Sequence, residues 1–89
     1  MSDTSALYEE AAQGSYAQSI LTNPAWKAAC AQWEDDLTRQ LRTLASDPTA
    51  CQQIAFLLLA GDKFRQYLET VAQTGQMATI QLDQLSGNV

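Results

Sequence analysis

A chain of 89 residues is one small domain at most, able to bury only roughly 60 to 65% of the surface its unfolded form exposes. Its net charge of −5, ten carboxylates against five scattered cations, argues against direct binding to a nucleic-acid backbone, which selects for Lys and Arg clusters. With no histidine and only two cysteines, it offers neither a usual zinc ligand set nor a neutral-pH acid–base residue.

Met1 to Ser5 is polar and reads as a flexible start, without the cationic and apolar stretches of a signal peptide. The longest apolar run, Ile54 to Ala60, is far short of the ~20 residues of a membrane span. A soluble cytoplasmic protein with no membrane contact is therefore expected.

Ala6 to Gln13 has helix-forming composition, with Glu9 and Glu10 early, where the helix dipole favours anions. Gly14 is read as a break. Ser15 to Gln18 fits a capping box, which predicts a second short helix from Tyr16 to about Leu21. Residues 6–22 are thus expected as short helical segments that must dock on something, since isolated short helices are marginal in water.

Asn23-Pro24 is the clearest local signal: Asn at the N-cap satisfies an open amide, and Pro at the first helical position pre-sets φ. A long helix follows, with Trp26, Cys30, Trp33, Leu37, Leu41 and Leu44 at spacings of three and four. Its other face carries the Glu34-Asp35-Asp36 run and an Asp35–Arg39 pair, read as a solvated side. Asp47-Pro48 repeats the cap-and-proline logic after Ser46 and predicts a tight reversal.

The next helix is expected from Pro48 to near Thr74, closed by Gly75 as a C-cap, with a seam of Ile54, Leu57, Gly61, Phe64, Leu68 and Val71. Residues 23–74 then form an antiparallel two-helix hairpin in an all-α domain. Folding back near Asp47 sets Trp33 opposite Gly61, Leu37 opposite Leu57, and Trp26 opposite Leu68. A glycine inside a helix costs about 1 kcal/mol relative to alanine, and room for the Trp33 indole is the reason proposed for Gly61. The same register puts Cys30 opposite Phe64 and Cys51 opposite Thr43, on the order of 20 Å apart, too far for a disulfide. Each is read as a small buried hydrophobe. Residues 75–89 are expected as a short terminal helix, with Met77, Ile80 and Leu85 on a rough helical period, or as a strap, ending in a Ser86 to Val89 tail.

Ile54 to Ala60 is apolar all round, and a hairpin covers only one side of it. Phe56, Leu59 and Tyr67 lie on the second side. Either the segment carrying Tyr16 and Ile20 or a second copy of the chain is expected to cover them. No nucleophile has a base at a plausible spacing, the adjacent carboxylates point apart on a helix, an Asp62–Arg65 pair reads as a surface pair, and no phosphate-cradling glycine loop is present. The chain is read as non-enzymatic, with no catalytic residue, cofactor or metal.

The order Ser19 to Trp26, a spaced helix through Trp33 and Leu37, an Asp-Pro break, Leu68 to Val71, and Gly75 to Ala78 before Gln81-Leu82 resembles small helical proteins of tailed bacteriophages and prophages. The likeness spans Ala17 to Leu82, fixes no mechanism and transfers no functional residue. It implies a gene placed among head and packaging genes in a host bacterium. Two functions follow as expectations: a virion-assembly or packaging-associated adaptor that binds itself or phage proteins, or an inhibitor of a host protein that uses its acidic surface.

Overall fold

Two capping residues divide the chain into three helices. The computed structural model describes residues 2–87, and side-chain surroundings from residue 4. α1 runs Ser2–Thr22, α2 Pro24–Thr43 and α3 Pro48–Gly87, and no strand occurs among the described residues. The protein is all-α. Asn23 alone separates α1 from α2: its backbone is extended (φ −68°, ψ 125°), and its side-chain oxygen accepts from the amides of Ala25 and Trp26 at 2.8 and 3.4 Å. Asp47 does the same for α3, accepting from Thr49 and Ala50 at 3.1 and 3.2 Å. Both prolines then occupy the first helical position, where no amide is required.

The expected breaks at Gly14 and Gly75 are absent. α1 passes through Gly14 without interruption, and α3 continues past Gly75 for three further turns, so residues 6–22 are not separate segments and residues 75–87 are not a strap. Ser15 is an interior residue instead of a cap. The helix also takes in Ser2 to Ser5, part of the expected flexible start; Met1 and the Asn88-Val89 end of the expected tail lie outside the described residues. Neither glycine has a positive φ, so neither is used for conformational freedom. Their use is steric. A Cβ built on Gly14 falls on the Cα of Gly75, and one built on Gly75 falls on the Cα of Gly14. The two backbones touch, and the loss of helix propensity, about 1 kcal/mol per glycine, is offset by that approach.

Two compact units result. One holds α1 and α3 from Tyr67 onward; the other holds Asn23–Gln66. In the first, burial falls on Gly14, Ala17, Ala72, Gly75 and Ala78, flanked by the half-buried leucines 7, 21, 68 and 82. Small residues line its seam because the backbones are too close for larger ones.

In the second unit Leu37 and Ile54 are the buried large side chains, 6% and 5% exposed. The Trp33 indole lies on Gly61, filling the space a Cβ would need, as the spacing predicts. Trp26 does not find its aromatic contact in the predicted register: it meets Phe64, which the register had set opposite Cys30, with centroids 6.4 Å apart and planes tilted by 45°. The inward line of α3 also differs. Leu57, expected in the seam opposite Leu37, is 49% exposed, and Phe64 is exposed beyond its contact with Trp26, while Leu58 and Arg65 turn inward. Both lines share Ile54, Gly61 and Leu68 and differ by one position between them, so helical spacing accommodates either. Arg65 takes its place because its aliphatic stem covers apolar surface while its guanidinium reaches Glu34 at 4.0 Å. The expected Asp62–Arg65 pair is thereby replaced, and Arg39 pairs with Asp36 at 3.5 Å instead of Asp35. Both cysteines are free and half-buried, and the Cys51 thiol donates to the carbonyl of Leu44 at 3.1 Å.

Candidate interaction surface

The residues expected to carry function are on the surface. Phe56 is 71% and Tyr67 70% exposed, and Leu59 is also open. Tyr16 and Ile20, expected to help cover that side, are exposed as well, Tyr16 to 72%. α1 directs Gly14, Ala17 and Leu21 inward, which rotates Tyr16 and Ile20 to its outer side. The reason is again the backbone contact: the face with the smallest residues allows the closest approach, although it is not the face with the largest apolar side chains.

Among the described residues, no group of His, Cys, Asp or Glu is arranged to hold a metal ion, and no buried polar side-chain atom lacks a partner. No helix among the described residues is long and apolar enough to cross a membrane. The Glu34-Asp35-Asp36 run does not converge: Glu34 is turned toward Arg65 and Asp36 toward Arg39.

Hollows mark the surface of both units. In the Asn23–Gln66 unit an apolar hollow of about 380 Å³ is bounded by Trp26, Cys30, Trp33, Gly61, Phe64 and Arg65. In the other unit a groove of about 530 Å³ lies along α1 and α3 with Gly14 and Gly75 in its floor. Its walls are neutral. Thr22 and Thr79 return their hydroxyls to the carbonyls of Gln18 and Gly75 at 2.8 and 2.9 Å, so their donor protons are satisfied within their own helices.

This groove rests on an internal repeat. Leu7, Ala11, Gly14, Ala17 and Leu21 are separated by four, three, three and four residues; Leu68, Ala72, Gly75, Ala78 and Leu82 have the same residue types at the same separations, 61 positions on. Aligning the chain with itself reveals the repeat, and it is the signal that reading each glycine as a helix breaker misses. The groove lining follows it: Ser15 has its counterpart in Gln76, Gln18 in Thr79, and Ser19 in Ile80. Compared with known proteins, the chain matches no protein-family model, no curated protein and no solved structure.

Proposed function

We propose that the chain is a non-enzymatic helical protein that acts through protein–protein contacts and associates with itself, with Asn23 to Gln66 forming an antiparallel helical hairpin within it. The observation that carries this reading is the balance of burial. Phe56, Leu59, Tyr16, Ile20 and Tyr67 stand in solvent, while alanines and glycines make up most of the buried positions. Scattered exposed apolar residues are ordinary, but bulky aromatics outside and small residues inside is the distribution of a chain whose larger contacts are made with another molecule.

On the resemblance carried by Ala17 to Leu82, the setting we propose is a bacteriophage. The protein acts there as an accessory or adaptor in virion assembly or packaging, in the host cytoplasm or in the particle. A host-directed inhibitor that imitates phosphate charge is less well supported, because two of the three clustered carboxylates are turned toward arginines of the same chain.

Sedimentation of the wild-type chain beside Phe56→Ser and Leu59→Ser tests the reading. Association in the wild type is expected, and a wild type that stays monomeric as concentration rises would overturn it. Recovery of the protein with purified particles or head proteins tests the adaptor role, and capture of a host protein in its place would favour the inhibitor.

A further inference from the structure

We infer that the apolar hollow between α2 and α3 binds a small aromatic carboxylate, its ring lying among Trp26, Trp33 and Phe64 and its carboxylate on Arg65. The inference is independent of the self-association proposed above and concerns a different class of ligand.

The hollow lies wholly within the Asn23–Gln66 unit, and its lining is almost entirely apolar. Its volume of about 380 Å³ falls in the range of small-molecule pockets, which combine apolar and aromatic walls with a few placed polar groups. The chain itself holds the rings around it. The Trp33 indole rests on the Gly61 backbone, where any larger residue would exclude it. Trp26 meets Phe64 with centroids 6.4 Å apart and planes tilted by 45°, so the two rings are not stacked and leave face area for a further ring. Trp33 and Phe64 are both exposed. A flat apolar body seated there withdraws their surface from water, which is favourable in proportion to the area covered.

Charge decides what the rest of the ligand is. Aromatic faces alone favour a cation. Here, among the described residues, Arg65 is the one charged group in the lining, and it opposes a second cation. Its guanidinium stands 4.0 Å from Glu34, beyond hydrogen-bond distance, and that Glu34 side chain is half exposed, so water screens the pair. The planar fork of donors that a guanidinium offers to a carboxylate is therefore not taken up by the chain's own acid. A ligand with an apolar ring and one carboxylate satisfies both the rings and the fork; a neutral ligand satisfies the rings alone.

The two tryptophans of the chain both line the hollow, so tryptophan emission reports on this site. Titration of the full chain, at fixed protein concentration, with phenylbutyrate, phenylbutanol and phenylbutylamine separates ring from charge. The acid should give a saturable shift of emission to shorter wavelength and bind about threefold to tenfold more tightly than the alcohol, with the amine weakest. Arg65→Met keeps the aliphatic stem and removes the charge, and it should bring the acid down to the alcohol's affinity while leaving the alcohol unchanged. Glu34→Gln removes the competing carboxylate and should strengthen acid binding, a gain that a variant with a damaged fold would not show. Equal affinity for acid and alcohol in the wild type, or a preference that survives Arg65→Met, overturns the proposal. So does the absence of a saturable shift with any of the three; if emission then shifts with rising protein concentration instead, the hollow belongs to the contact between copies.

Discussion

Replacing Gly14 with alanine adds one methyl group at the point where α1 and α3 touch. Taken alone, a helix-interior Gly→Ala change favours the helix by about 1 kcal/mol. Here the new Cβ falls on the Cα of Gly75, a backbone atom that no rotamer change can remove. The helices must separate, and separation withdraws contact from Ala17, Ala72 and Ala78, whose buried methyls contribute about 0.8 kcal/mol each. Overpacking of this kind costs roughly 1 to 3 kcal/mol. Loss of part of the alanine seam places it in the upper half of that range, so the net effect is destabilising by about 1 to 2 kcal/mol. In a chain of this length that lowers Tm by roughly 4 to 16 °C. Thermal unfolding followed at 222 nm, at matched protein concentration because association shifts Tm, reads it directly. Gly87→Ala, whose Cβ meets nothing, is the control for propensity without contact. The double variant Gly14→Ala with Gly75→Ala should lose less than the sum of the single losses, since helices already apart accept the second methyl more readily. A Gly14→Ala protein that melts above wild type would refute the reasoning, because propensity would then be the only effect operating.

Gly61→Leu should displace the Trp33 indole, costing on the order of 1 to 3 kcal/mol and shifting tryptophan emission to longer wavelength; unchanged emission and Tm would remove Gly61 as its seat. Asn23→Ala removes the acceptor of two α2 amides and should cost about 1 kcal/mol in a urea titration, whereas Asn23→Ser should recover most of it. Self-association should strengthen as salt is raised, because screening weakens repulsion between two chains of net charge −5; an association constant that falls with salt would identify ion pairs as its source.

Both helix starts were legible because their chemistry is local: Asn23-Pro24 and Asp47-Pro48 each place an acceptor and a pre-set φ within two residues. The place of Gly61 was legible for a related reason, since a helical glycine without a local use asks for a bulky neighbour, and Trp33 on the preceding helix lies against it. Gly14 and Gly75 were misread because their partners lie 61 residues apart, and a tertiary contact overrides the breaking tendency that each shows alone. The inward line of α3 was misread at Leu57 and Phe64 because Ile54 to Ala60 is apolar on every side and carries no phase. Arg65 then enters the seam through its stem and Glu34, which hydropathy does not record. Phe56, Leu59 and Tyr67 are exposed on α3, and Tyr16 and Ile20 are exposed on α1, where they were expected to form a cover.

The order Leu, Ala, Gly, Ala, Leu with intervals of four, three, three and four is the same from either end. A seam of that form specifies how near two helices come and at which turn, but its residue order is blind to direction. Direction is carried instead by the N-terminal tilt of every Cα–Cβ bond, by the helix dipoles and by the connections, Asn23 and the four residues between α2 and α3. Cut loose as peptides, residues 2–22 and 67–87 would keep the first two and lose the third. Covalent continuity adds vectorial information that the order of residues in the packing surface omits.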